Sequence, residues 1–392
     1  MRMSISAADV GRCTCERSRC RVGWGQATDR IAYFNAPIDA VTRWPLWLLL
    51  SFLFVGCPSA DRPARPSAQG AGASAGSTQV AEVGPRTLPL DSAFSRPSLE
   101  LSGLAWHGDT LVVLPQYPAR AGGNAGPQLY GIARASLRRA MDDSTAPIEP
   151  FPIPLSTPNL DGRTTGYQGL EAIAFVNDRA YLLVESTTDG PGMRGHLLRG
   201  RAAPGLRELR LQPGADLSLP QQAELPNTAY EALTTRADTV MALFEANGRR
   251  VNNTPRAVRV DSALRPLGPV PFPPLEYRVT DATALDARRR FWVINYFYPG
   301  DRDLLHPATD SLARRYGVGS THRRSEVVER LVEYRSTPQG IRRTDTPPLW
   351  LELAADGRNW EGVVRFGDGF LLVTDTFPKT LLAYVPGTPT EP

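Results

Sequence analysis

Five polar residues stand at the same place in five copies of one fifteen-residue unit: Ser102, Glu171, Glu231, Asp281 and Glu361. The copies read SGLAWHGDTLVVLPQ, EAIAFVNDRAYLLVE, EALTTRADTVMALFE, DATALDARRRFWVIN and EGVVRFGDGFLLVTD, and they align without a gap. Position two is always Gly or Ala. Position eight is Asp in four copies (Asp109, Asp178, Asp238, Asp368) and Arg288 in the other. Position fifteen is always polar: Gln116, Glu185, Glu245, Asn295 and Asp375. Carboxylates brought together cannot all ionise, because like charges and desolvation both push the pKa up. A cation removes the conflict. Carboxylate and hydroxyl oxygens are hard donors that suit Ca²⁺ or, less easily, Mg²⁺, and the lack of His and Cys disfavours zinc and copper. The first positions, Ser102, Glu171, Glu231, Asp281 and Glu361, are therefore expected to hold Ca²⁺. The acids of position fifteen, Glu185, Glu245 and Asp375, are expected to be catalytic.

The loops that follow position fifteen are basic. They carry Arg120, Arg194, Arg249 with Arg250, Arg302 with Arg314 and Arg315, and Lys379. Guanidinium forks suit phosphate and carboxylate. Arg120, Arg194, Arg249, Arg250 and Lys379 are expected to receive an anionic small molecule beside the acids. Arginine is also the default surface cation of this chain, whose only lysine is Lys379.

Such residues need elements that converge. The unit reads as a β-hairpin: a short apolar strand, a polar turn near the Asp, then a strand rich in Val, Leu, Phe and Tyr. Copies start 69, 60, 50 and 80 residues apart. That is too long for ankyrin or TPR arrays and fits a four-stranded propeller blade with long loops. Third and fourth strands are predicted at 128–134 and 148–155, 195–202 and 206–212, 255–261 and 264–272, 329–337 and 348–354. The fifth copy has 381–386 and lacks a fourth strand, which the stretch 86–91 is expected to lend it, closing the ring and removing sheet edges. The expectation is an all-β, five-bladed propeller. A six-bladed ring with one degenerate blade, or two separate β domains, are the alternatives. In a propeller the first and fifteenth positions both lie at one end of the hairpin, as two rings around the channel mouth.

The starts of the five inner strands, Leu-Ser, Leu-Glu, Tyr-Glu, Asp and Trp-Glu-Gly, resemble those of the calcium-activated nucleotidases (apyrases). ELSGL around Ser102 and WEGVV around Glu361 match most closely. The hairpins also look like bacterial phytase-like or esterase-like propellers. The resemblance spans residues 99–386. It implies a five-bladed propeller with a central Ca²⁺ and a metal role for Ser102, Glu171, Glu231 and Glu361. Asp281 departs from it, because the nucleotidases have Ser at that turn, and their nucleotide-contacting loop residues have no match here.

The front of the chain carries other signals. Residues 42–57, TRWPLWLLLSFLFVGC, hold one Arg, an apolar run too short to span a membrane, and an ending that resembles a bacterial lipobox, with Phe54 where Leu is commonest. Residues 41–57 are expected to be a lipoprotein signal peptide. Cys57 would be lipidated, tying the chain to the bilayer of a bacterial cell envelope. Residues 1–40 contain Cys13, Cys15 and Cys20 and read as an extension ahead of the true start; a zinc site normally wants four ligands. Residues 58–85, rich in Pro, Ala, Gly and Ser, read as a flexible tether, and 86–392 as the propeller domain. The formal charge is +4, of which residues 1–56 carry +3 from seven Arg and four acids. Nothing in it suggests a nucleic-acid partner. No G-x-S-x-G elbow, H-E-x-x-H or P-loop occurs. His107 lies near a hairpin tip and His196 near the start of a third strand, which argues against a Ser-His-acid triad, and His306 and His322, in the long fourth-blade loop, read as surface residues. The segment 296–325 reads as a long binding loop or lid. Two functions remain open: a metal-dependent hydrolase of an anionic phosphoester or ester, and a non-catalytic ligand- or protein-binding propeller with a structural metal.

Overall fold

The computed structural model describes residues 80–92, 94, 99–158, 160, 164–375 and 379–387. The 1–40 extension, the signal segment with Cys57 and most of the tether lie outside the described residues. None of the helices among the described residues is long and apolar enough to cross a membrane.

The strands run β1 (Glu82–Val83), β2 (Arg86–Thr87), β3 (Leu101–His107), β4 (Thr110–Pro115), β5 (Gln128–Ala133), β6 (Phe151–Ser156), β7 (Tyr167–Val176), β8 (Arg179–Thr187), β9 (Met193–Ala202), β10 (Leu209–Ser218), β11 (Tyr230–Arg236), β12 (Thr239–Phe244), β13 (Arg256–Asp261), β14 (Pro266–Pro271), β15 (Arg278–Ala282), β16 (Arg290–Phe297), β17 (Val328–Thr337), β18 (Gly340–Arg343), β19 (Leu349–Leu351), β20 (Trp360–Phe366), β21 (Gly369–Thr374) and β22 (Leu382–Pro386). Each repeat unit is an antiparallel hairpin: β3–β4, β7–β8, β11–β12, β15–β16 and β20–β21. The tight turns demand positive φ at position seven rather than at the Asp of position eight. Gly108, Asn177, Ala237 and Gly367 all adopt it. Asn and Gly tolerate that region, whereas Ala237 holds it at a small steric cost.

The first strands of the hairpins stand side by side in a closed order: β3 against β7, β7 against β11, β11 against β15, β15 against β20, and β20 against β3. The small residue at position two permits this approach. A Cβ on Gly362 would lie 2.9 Å from Leu104 Cγ, and one on Gly103 would lie 3.4 Å from the Ala172 Cα. Hydrophobic clusters fill the spaces between neighbouring hairpins. Val112 and Leu114 meet Leu170 and Leu182 in one, and Trp292 and Ile294 meet Val363 and Leu372 in another. The result is a nearly all-β, propeller-like fold.

The outer strands complete four sheets among the described residues. Two of the hairpins share an eight-stranded sheet, because β6 pairs parallel with β10, Leu155 opposite Leu209. Proline-rich β14 lies at a sheet edge, where missing N–H groups cost least. β2 pairs antiparallel with β22, so the stretch after residue 85 does lend a strand to the last hairpin. The tether expectation needs one correction. Glu82–Val83 forms β1 and pairs parallel with β19. The segment 296–325 is not an open loop but a chain of short helices, Pro299–Asp301, Arg302–Leu305, Ser311–Tyr316 and His322–Arg324. His322, read as a surface residue, is buried there.

Candidate functional site: the acidic centre

Each inner strand carries a register shift at position one. Leu101 pairs with Pro115 and Gly103 with Leu114, leaving Ser102 as an extra residue. Glu171, Glu231 and Glu361 are skipped in the same way, and the fourth hairpin shifts between Val279 and Ala282, across Thr280 and Asp281. A bulge re-aims the side chain it carries. The repeat thus places five bulged polar residues at corresponding points of adjacent inner strands.

Three of the five position-one acids and hydroxyls are buried outright, Ser102, Glu171 and Asp281, as are Glu185 and Glu245 of position fifteen. Burial pushes the Glu171 pKa up to about 7, against hydrogen bonds of 3.2 and 3.3 Å from Gln116 Nε2, with Glu245 adding to the rise. Burial also pushes Glu185 up to about 9, helped by Glu171 and Glu245 and opposed by Arg278. Glu231 and Glu361 are raised well above the carboxylate range, by burial first, then by Glu245 and Glu361 on the former and by Asp375 and Glu245 on the latter. Glu245 is raised by burial despite Arg278, and Glu231 hydrogen-bonds to it. These carboxyl groups form one electrostatic cluster. Glu185 Oε1, Glu231 Oε2 and Glu245 Oε2 are buried and receive no hydrogen bond. As they stand, no three His, Cys, Asp or Glu side chains among the described residues converge closely enough to close a metal shell.

Asp281 is differently employed. Burial raises its pKa, and its carboxyl receives backbone N–H groups of Val363, Ala282 and Leu104, the first at 2.7 Å. It therefore ties β15 to β20 and β3. The hydroxyl beside it behaves like Ser102. Ser102 Oγ donates to the Leu170 carbonyl at 2.6 Å, and Thr280 Oγ1 donates to the Trp360 carbonyl at 2.5 Å. Leu170 and Trp360 each precede the Glu of position one on the next strand, so Thr280 is the structural counterpart of Ser102. The sequence reading missed it because the gapless alignment put Asp281 at position one. The Asn295 amide donates to the Glu276 and Arg278 carbonyls at 3.0 Å each and its oxygen accepts from Arg330 Nε at 2.8 Å, so it is a strut.

Arg278 was also missed. Its guanidinium pairs with Glu245 through Nη1 and with Asp301 at 2.8 Å through Nε. It is the cation felt by Glu185, Glu231, Glu245 and Glu361 alike. Several carboxyls buried together need a counter-charge from within the fold, and that demand was the available signal. The loop cations stand elsewhere. Arg194, Arg249, Arg250 and Lys379 are exposed. Arg120 pairs with Glu100 at 3.3 Å and lies over the Tyr117 ring at 3.8 Å. It borders a cavity of about 670 Å³ that Tyr117, Tyr167 and Leu170 also line, next to Gln116 and Glu171 in sequence.

No family model and no curated protein matches this chain. Among solved structures, a glutaminyl cyclase of Myxococcus xanthus aligns at 10% identity and TM-score 0.38, over 78% of this chain and 99% of its own. A putative glycosidase of Bacteroides thetaiotaomicron aligns at 9% identity and TM-score 0.44, over 78% and 97%. The soluble aldose sugar dehydrogenase of Escherichia coli aligns at 11% identity and TM-score 0.39, over 77% and 99%. At these scores the likeness carries no inference about what this chain does.

Proposed function

We propose that the chain is a five-bladed β-propeller that binds one hard divalent cation, calcium, at its acidic centre and hydrolyses a small anionic ester or phosphoester there. The observation that carries the reading is the cluster of buried carboxyl groups around a single guanidinium, with three carboxylate oxygens that receive no hydrogen bond. Oxygens in that state need either protons or a cation. Glu171, Glu231 and Glu361 with the Ser102 and Thr280 hydroxyls would hold the ion, the carboxylates closing in on it. Asp281 is left out because its carboxyl is already occupied by backbone N–H groups. All are hard oxygen donors, as calcium prefers.

When bound, the cation neutralises the cluster and polarises a substrate oxygen. The chain's own residues supply the proton traffic. Arg278 favours the ionised form of Glu245, which would take a proton from water. Glu185, raised by burial to about 9, would donate a proton to the leaving group, so that the two carboxyls act as base and acid. Asp375, which raises the Glu361 pKa, is assigned to the charge cluster. The cavity beside Tyr117 and Arg120 offers an aromatic face and a guanidinium to the organic part of a substrate. The exposure of the other loop cations favours the second reading, a non-catalytic propeller with a structural calcium. By the same proposal lipid on Cys57 anchors the chain, and Cys57→Ser would leave it in the soluble fraction.

Calcium should raise the melting temperature and EDTA lower it, and Glu171→Gln with Glu231→Gln should abolish the difference. Glu245→Gln should cut calcium-dependent turnover at least about a hundredfold while the calcium shift in melting persists. A melting curve that calcium leaves unmoved sinks the metal site. A panel of phosphoesters and carboxylic esters that shows no calcium-dependent turnover sinks the hydrolase and leaves the binding reading.

A further inference from the structure

The inner strands line a second space, away from the acids. Positions two to seven of the repeats surround a cavity of about 430 Å³, to which every inner strand or the turn after it contributes. Its character is the opposite of the acidic centre. Trp106, Phe175 and Phe366 form aromatic walls, and Leu233 and Ala284 supply smaller apolar surface. The Trp106 and Phe366 rings stack with centroids 6.0 Å apart and planes at 21°. Trp106 is fixed further by its Nε1–H, which donates to the Arg365 carbonyl at 2.9 Å.

No Asp or Glu lines this cavity, whereas two arginines do. Arg365 is spent on the fold. Its Nη1 and Nη2 donate to the carbonyls of Ala284 and Arg290. Arg134 is less committed. Its guanidinium lies 3.9 Å over the Trp106 ring, its Nη2 makes only a long 3.5 Å bond to the Gly108 carbonyl, and its Nε reaches Asp109 at 3.0 Å, a carboxylate that is 93% exposed. An ion pair whose carboxylate is solvated to that degree contributes little, so the part-buried guanidinium can exchange its partner at small cost. The stacking on Trp106 pre-orients it at the wall, where it can take a carboxylate through a charge-assisted fork. Apolar walls with one placed polar group are the usual character of a small-molecule site.

We propose that this cavity binds a small organic anion with a flat apolar body, an arylalkyl carboxylate. The ring lies among Trp106, Phe175 and Phe366, and the carboxylate meets Arg134. The site uses none of the acidic residues, so it stands or falls apart from the calcium proposal.

The test is calorimetric titration of the full-length chain, in EDTA and in calcium, with 3-phenylpropionate and with its neutral amide, 3-phenylpropanamide. The carboxylate should bind saturably in both buffers and at least about tenfold tighter than the amide, a difference of about 1.4 kcal/mol. Arg134→Ala should erase that preference. Ala284→Phe, at an exposed position on the wall, should weaken both ligands about tenfold or more by filling the space. Unchanged far-ultraviolet dichroism and melting confirm that each variant is folded, and Arg134→Ala alone decides should Ala284→Phe not fold. Absence of saturable 3-phenylpropionate binding at about 1 mM, equal binding of the amide to the parent chain, or a preference that survives Arg134→Ala overturns the proposal.

Discussion

A carboxyl group buried at the acidic centre loses the water that would solvate its charge. Glu171 and Glu185, with pKa values pushed from 4.5 to about 7 and about 9, keep protons that the unfolded chain would release. The sign of the pH dependence follows. A folded-state pKa above the unfolded value gives stability that is complete below about pH 4.5 and is lost as the pH rises through 7 and then 9. For Glu171 the loss is on the order of 3 kcal/mol. In EDTA the melting temperature should fall steadily between about pH 5 and pH 9. Saturating calcium, by favouring the ionised carboxylates, should flatten that slope. A metal-free melting temperature that rises over the interval would show that the acids are ionised in the folded chain, and the protonated cluster would have to be abandoned.

Among the elements, β1 is only two residues long yet closely held. Glu82 accepts hydrogen bonds from Thr321 N and Oγ1, Ser320 Oγ, and His322 N and Nδ1, the last at 2.7 Å. Burial alone would raise its pKa, but these bonds outweigh it and bring the group to about 2. The His322 pKa is lowered by burial and by Arg330 against the pull of Glu82, while its Nε2 accepts the Glu329 N–H at 3.3 Å and its ring packs edge-on to Trp350. A lowered histidine contributes stability above its unfolded pKa of 6.5 that is lost as the pH falls below it. Glu82 follows only between 4.5 and about 2. Acidification from about pH 7.5 to about pH 5 should therefore speed amide exchange, after correction for intrinsic rates, at Thr321 and at Glu352, whose N–H bonds Val83. Glu82→Gln should do so at both pH values. Protection that stays equal in all four measurements would refute the latch. The hairpins were legible because alternating strands and a tight turn leave a short-range pattern, and the lent strand at Arg86–Thr87 was legible as a segment without a sheet. The bulges were not, since an extra residue shows only in a partner's register. Arg278 and Thr280 matter through contacts between strands far apart in sequence. The β1 latch was hidden because its binding partners lie more than 230 residues away in a segment read as an open loop.

At the scale of the molecule, the closed order of inner strands is accompanied by a second join between early and late segments of the chain. The first two strands fasten onto the last part of the fold, β2 on β22 and β1 on β19. In mechanical terms they are a clasp, and any tension on the chain ahead of residue 80 reaches them before it reaches a hairpin. β1 and β2 span two residues each, 82–83 and 86–87, so few hydrogen bonds share that load. The hydrogen bonds of Glu82 to Ser320, Thr321 and His322 reinforce them. A chain pulled from its N-terminal side against residue 387 should therefore yield first in a small step of about 20 Å, the reach of the six residues 82–87. Opening of the ring would follow. Glu82→Gln should lower the force of that first step and leave later steps unchanged. A single rupture with no early step would mean that the clasp and the hairpins fail as one unit, and that tension on the leading segment is carried by the whole ring.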